Sequence, residues 1–299
     1  MKYRNLGNSN LQVSQIGLGC MSIGTEEQHA LSIIDEALEL GINYFDTADL
    51  YDFGLNEEYV GKAIKHKRSN IILATKVGNR RIPGEEGWVW DPRKQYIKEA
   101  VKQSLQRLQT DYVDLYQLHG GTIDDPIDEI IEAFEELKQE GVIRYYGISS
   151  IRPNVIKEYI KKSSIISVMM QYSILDRRPE EEIMSILEDN QISLIARGPV
   201  AKGILTSSNS QSNGYIHLTP EEIKTALEKI KEHFPDRSVN EIALQYCLFP
   251  RAVGAIIPGA SKKDQLIDNV RAALSNPLSE DDIHFIQNLV RADIYHDHR

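Results

Sequence analysis

Cysteine is scarce in this chain. Only Cys20 and Cys247 occur in 299 residues, far apart and without a CxxC or metal-ligand spacing. That argues against a disulfide framework and suits a reducing compartment, so a cytoplasmic location is expected. Long apolar runs are missing too, and none approaches the ~20 residues that cross a bilayer. The N-terminus, MKYRNLGNSN, turns polar at once and has no apolar core of a secretory leader. Positive charge is in deficit: 34 Lys and Arg face 44 Asp and Glu, a formal charge of −10. Such a balance disfavours a phosphate backbone as partner, so neither nucleic acid nor membrane is expected. What is present is ordinary for a folded protein, with 41% apolar residues, enough for a large core.

Short β-branched runs alternate with helical periodicity along most of the chain. Strands are predicted at 16–19, 42–46, 71–76, 113–119, 145–149, 165–171, 193–197 and 255–258. Helical sequence follows each, at 26–40, 56–65, 94–108, 127–139, 153–162, 180–190, an interrupted region after the seventh strand, and 262–274. Eight strand-then-helix units imply a parallel sheet, and eight is the number that closes a barrel. An open doubly wound sheet would put a glycine-rich phosphate loop after its first strand. Here Gly17-Leu18-Gly19-Cys20-Met21-Ser22 has serine where the third glycine belongs. The expected fold is therefore a single (β/α)8 TIM barrel spanning 1–299. It carries an N-terminal β-hairpin around Gly7-Asn8-Ser9-Asn10 and an extra C-terminal helix at 279–290, capped by Ser279 and Asp282. Residues 199–219 read as a polar lid.

In a barrel, chemistry sits at the C-terminal ends of the strands. Those positions hold Asp46, Lys76, His119, Ser149, Ser150 and Gln171, with Tyr51 in the loop after Asp46. A phenol keeps its proton at neutral pH, with a reference pKa of ~10, and a nearby ammonium favours its ionised form. Lys76 would supply that charge, Asp46 would balance it, and His119 would orient a carbonyl oxygen. The set suits protonation of an oxygen as negative charge develops on it. Each residue also has a plain reading: Asp46 and Lys76 as a structural ion pair, Tyr51 as packing, His119 as a core histidine. Lys76 as a Schiff-base nucleophile is a further alternative. Glu180-Glu181-Glu182 reads as the first turn of a helix, His296 and His298 as a solvated tail or, alternatively, an adventitious metal-binding pair, and Trp88 and Trp90 as pocket wall or barrel rim. No metal is expected.

The sequence resembles the aldo-keto reductases. The resemblance rests on Gly41-Ile-Asn-Tyr-Phe-Asp46-Thr-Ala-Asp-Leu-Tyr51, Ala74-Thr75-Lys76, Asp111-Tyr-Val-Asp114-Leu-Tyr-Gln-Leu-His119, Gly147-Ile-Ser149, Gln171-Tyr172 and Ile257-Pro258-Gly259-Ala260-Ser261, in the family's order. Gly259-Ala260-Ser261 with Gln265-Leu266 is similar to the branch of bacterial reductases and potassium-channel β-subunits. The resemblance implies an oxidoreductase acting on a small carbonyl or alcohol, with Asp46, Tyr51, Lys76 and His119 as catalytic tetrad and Tyr51 as general acid–base. The alternative it leaves is a cofactor-binding regulatory subunit with little turnover. It also implies NADPH as cofactor, with NADH possible. Ser149, Ser150 and Gln171 match the positions that hold the nicotinamide carboxamide, and Cys20, Met21 and Asp46 border it. Gly259, Ser261, Lys262, Gln265, Asp268 and Asn269 match the adenosine end. Arg197, Gly198, Pro199, Val200, Ala201 and Gly203 complete the implied cofactor set. Arg197 stands where many members have a stacking aromatic, and Gln265 where many have an arginine for the 2′-phosphate. Lys262 and Lys263 are the expected substitutes for that charge.

Overall fold

The structure, a computed structural model, describes residues 1–82, 84, 86–206 and 214–299. The chain opens with an antiparallel hairpin of β1 (Tyr3–Asn5) and β2 (Gln12–Ser14). Eight parallel strands follow: β3 (Leu18–Gly19), β4 (Tyr44–Asp46), β5 (Ile72–Val77), β8 (Val113–Leu118), β9 (Ile143–Ser149), β10 (Ser167–Gln171), β11 (Ser193–Arg197) and β12 (Val253–Ile257). They pair in that order. The ring closes where Gly17 N donates to the Ile256 carbonyl and Ile256 N to the Gln15 carbonyl, both at 2.9 Å. Closure leaves no unpaired sheet edge. The fold is the expected (β/α)8 barrel.

Helices α1 (Glu27–Glu39), α2 (Leu55–Ile64), α3 (Lys94–Leu108), α4 (Ile127–Gln139), α5 (Pro153–Lys162), α6 (Ile183–Asp189), α7 (Pro220–His233), α8 (Val239–Leu248) and α9 (Lys263–Leu274) surround the sheet. The interrupted region after the seventh strand is thus two helices. A further helix, α10 (Glu280–Leu289), begins with a reciprocal Ser279–Asp282 capping box, as expected. No helix among the described residues is long and apolar enough to cross a membrane.

The pleat decides which residues face inward. Period-two alternation points Phe45, Leu73, Tyr116 and Val168 at the helices. It sends Tyr44, Ala74, Leu115, Met169, Ile195 and Ala255 into the barrel, where they form one buried cluster. Leu6, Leu11 and Val13 of the hairpin join that cluster and plug the N-terminal end. Gly7 makes the plug fit: its φ is +56°, and a Cβ there would lie 2.1 Å from the Ile166 carbonyl oxygen.

Some elements differ from the sequence reading. A small hairpin, β6 (Asn79–Arg80) with β7 (Val89–Trp90), follows the third barrel strand. The Glu180–Glu182 run does not open α6, which starts at Ile183 after a 3-10 turn at Arg178–Glu180. Glu180 instead turns inward and accepts from the hydroxyls of Tyr172 and Tyr246, because two buried phenols need an acceptor more than a helix dipole needs a charge. Of the expected lid, residues 207–213 lie outside the described residues. The flanking parts hold a 3-10 turn at Ala201–Gly203 and a tight turn in which Tyr215 and Leu218 exchange backbone hydrogen bonds of 2.9 Å.

Candidate active site at the barrel mouth

Two residues beyond Tyr44, Ala74 and Leu115, the same inward pleat presents Asp46, Lys76 and Gln117. Asp46 and Lys76 are almost fully buried. The Lys76 ammonium donates to Asp46 Oδ1, to the Thr47 carbonyl at 2.7 Å and to the Tyr51 hydroxyl oxygen at 3.4 Å. Asp46 Oδ2 accepts from Gln117 Nε2 at 3.1 Å. Three acceptors around Nζ use all three hydrogens of an ammonium, so Lys76 is charged. Burial opposes that charge, but Asp46 and then Tyr51 outweigh it and carry Lys76 above the ordinary lysine value. Burial also pushes the Asp46 carboxyl up, against the opposing pull of Lys76.

His119 follows β8, with its backbone N–H on the Val77 carbonyl at 2.7 Å. Its ring stands edge-on to Tyr51, centroids 6.0 Å apart. Burial, then the charges of Lys76 and Arg197, push this imidazole down to about 3. It is therefore neutral at neutral pH, and its Nδ1 is buried with no partner among the described residues.

The loop carrying Tyr51 is fixed from beneath by residues that sequence reasoning passed over. Thr47 Oγ1 donates to Asn56 Oδ1 at 2.7 Å, and Asn56 Nδ2 donates to the Cys20 carbonyl at 2.8 Å. Thr75 and Arg107 both donate to the carboxylate of Glu57. A polar pair opening a helix usually faces water; here both residues are buried, and only their position directly after the loop hinted otherwise. Asp52 and Phe53 take left-handed φ values of 48° and 59° just past Tyr51. Such conformations persist only where surrounding contacts impose them.

A cavity of about 1460 Å³ opens over these groups and extends to the start of α9. Asp46, Tyr51, Lys76, His119, Ser149, Ser150, Gln171 and Arg197 line one end. Met21, Gly198, Pro199, Val200 and Gly203 line it too, as do Gly259, Ser261, Gln265, Asp268 and Asn269 at and before α9. Three expected residues are not brought to it. Cys20 and Ala201 are fully buried beneath the wall, with burial pushing the Cys20 thiol up, and Lys262 points to solvent at the N-cap of α9. Lys263 is likewise engaged elsewhere, pairing with Glu36 at 3.3 Å. Of the cations that line it, Arg271 comes from α9, beside Asp264 and Asp268. It sits two turns along α9, where spacing from the Gly259 motif gave no sign of it.

Arg197, at the end of β11, donates to Gln171 Oε1 at 3.0 Å, and Gln171 Nε2 donates to the Tyr215 hydroxyl at 2.8 Å. Tyr215 thus joins the wall, another residue the sequence did not flag. The two tryptophans separate. Trp88 lines the cavity, whereas Trp90 donates its indole N–H to Asp125 at 3.0 Å and packs over Gly78.

The sequence pattern of the Aldo/keto reductase family matches residues 15–291. The chain is 61% identical over 306 aligned positions to the uncharacterized oxidoreductase YqkF of Bacillus subtilis (strain 168), covering 100% of both. It is 29% identical to the NADH-specific methylglyoxal reductase of Escherichia coli (strain K12), covering 98% of this chain and 99% of that one. Among solved structures, the holo form of aldo-keto reductase AKR11C1 from Bacillus halodurans superposes with a TM-score of 0.96. That protein is 59% identical, with 100% of this chain and 99% of the other covered. A closed barrel with polar groups gathered at its C-terminal mouth, matched over nearly its whole length, makes this chain a member of the aldo/keto reductase family of NAD(P)H-dependent oxidoreductases.

Proposed function

We propose that this protein reduces aldehydes or ketones to alcohols with NADPH, and that Tyr51 supplies the proton. The observation that carries the reading is the placement of the Tyr51 hydroxyl at 3.4 Å from a Lys76 ammonium whose other hydrogens are spent on Asp46 and Thr47.

The donor set fits a dinucleotide. Ser149, Ser150 and Gln171 offer the hydroxyl and amide groups that would hold a carboxamide. The free backbone N–H groups and positive dipole end of α9 would face phosphate. Gly259 lets the wall approach closely, since a Cβ there would meet Ser22 Oγ at 2.3 Å. When bound, the cofactor supplies hydride to the carbonyl carbon.

The chain's own groups handle the oxygen. Tyr51 transfers its phenolic proton to the developing alkoxide, and the phenolate left behind is stabilised by Lys76 at no reorganisation cost. Neutral His119 offers a hydrogen bond to the same oxygen and helps fix its position. Asp46 keeps Lys76 oriented and compensates its buried charge. Run in reverse, Tyr51 accepts the proton of an alcohol. The saturated ammonium of Lys76 disfavours a nucleophilic role for its amine.

Tyr51→Phe removes the proton and little else. Fluorescence titration with NADPH is expected to be unchanged, while turnover of 4-nitrobenzaldehyde falls by about 10²–10⁴-fold. Near-native turnover would refute the assignment.

A further inference from the structure

The tight turn after the undescribed residues carries a histidine that meets the C-terminal tail. Ile216 takes a φ of +56°, unusual for a β-branched residue, within the turn closed by Tyr215 and Leu218. Next to it, His217 Nε2 lies 2.8 Å from Asp293 Oδ2. From the tail, His296 Nε2 lies 3.6 Å from Asp293 Oδ1. The two imidazoles are 6.0 Å apart and nearly perpendicular, and the ligand atoms of all three residues lie within 4.8 Å of one another. Sequence spacing pairs His296 with His298; the fold pairs it with His217 instead.

The tail is docked, which keeps these groups in register. Tyr295 is buried with Arg178 over its ring, Arg299 pairs with Glu181, and Asn154 N donates to the His298 carbonyl at 2.9 Å. Asp293 is the most buried of the three ligands, with its side chain 21% exposed, and each of its oxygens faces one imidazole.

We infer that His217, Asp293 and His296 form a binding site for a divalent transition metal of the zinc class, clamping the C-terminal tail to the 214–218 turn. Two imidazoles and one carboxylate suit zinc, whereas magnesium and calcium prefer all-oxygen shells. Zinc bonds of ~2.0 Å place tetrahedral ligand atoms roughly 3.3 Å apart, between the 2.8 and 3.6 Å of the two His–Asp pairs here, and water would fill the fourth position. The site lies outside the cavity, but its turn carries Tyr215, which accepts from Gln171 at the cavity wall. Metal binding would therefore stiffen that wall.

The test does not depend on the proposed reaction. Metal-stripped protein is titrated calorimetrically with ZnCl₂, and with MgCl₂ as control. One equivalent of zinc and no magnesium should bind. His217→Ala and His296→Ala should each weaken zinc binding by at least ~10-fold, while His298→Ala leaves it unchanged. Circular dichroism checks that the variants fold. Hydrogen exchange should slow on zinc addition at 214–218 and 292–296. Absence of saturable zinc binding, or binding that survives both alanine variants, would overturn the assignment.

Discussion

The Lys76 ammonium and the Asp46 carboxylate meet in a nearly dry pocket, Asp46 at the end of β4 and Lys76 one residue before the end of β5. A buried pair of this kind is costly to break from one side. Lys76→Met leaves Asp46 uncompensated, and a loss of about 3–5 kcal/mol is expected from denaturant unfolding. Combining it with Asp46→Asn should restore most of that stability. Turnover should stay abolished in the double variant, because Tyr51 has lost its ammonium. Recovery of activity along with stability would show that the pair serves the fold alone.

His119 gives a pH signature. Its value of about 3 lies below the ~6.5 of a free imidazole, so the unfolded chain takes up this proton first as pH falls. Stability from this residue is therefore complete above pH ~6.5 and is lost towards about pH 3, at up to ~1.4 kcal/mol per pH unit. His119→Gln should flatten the acid limb of a thermal-melt series. In the wild type, kcat for carbonyl reduction should show no inflection near pH 6.5. An inflection there that disappears in the variant would mean the imidazole is charged in the working enzyme.

Legibility in the sequence followed physical range. The strand-end residues were visible because the period-two pleat and the strand–helix alternation are local, and they fix which way Asp46, Lys76 and Gln171 point. The resemblance named the same positions. What lay beyond reach depends on contacts distant in sequence. The β6–β7 hairpin has strands of two residues, too short for any periodicity to register. Glu180 looked like a helix start because its partners, Tyr172 and Tyr246, come from β10's end and α8. Arg271 and Tyr215 reach the cavity only through the docking of α9 and the 214–218 turn. Nor does anything in the chain order bring His217 to Asp293.

Arg271 bears on cofactor choice. It lines the cavity from α9, where Lys262 and Lys263 do not, and would there meet the 2′-phosphate of NADPH. Arg271→Ala should weaken NADPH binding by roughly 10-fold, an ordinary loss for a charge-assisted hydrogen bond of ~1.5 kcal/mol, and leave NADH binding nearly unchanged. Paired fluorescence titrations measure both. Equal losses for the two dinucleotides would assign Arg271 to the pyrophosphate or to the wall.

Asp49 sits between Asp46 and Tyr51, and its Oδ1 is buried with no partner among the described residues. Burial, reinforced by the neighbouring Glu57 carboxylate and only partly offset by Arg107, pushes it up to about 8. The native state thus holds a proton that the unfolded chain releases above pH ~4. Stability must then fall as pH rises from about 4 to about 8 and level off beyond, the reverse of a salt-bridged carboxylate. Asp49→Asn imitates the protonated form and abolishes this loss. The melting temperature of the variant should match the wild type near pH 4 and exceed it by a widening margin up to pH 8. Ionisation also places a second negative charge beside Glu57 in the layer supporting the Tyr51 loop, so wild-type kcat should decline above pH 8 more steeply than that of the variant. If the two melting curves run parallel across this range, Asp49 is ionised in the native protein and Arg107 must be shared between it and Glu57.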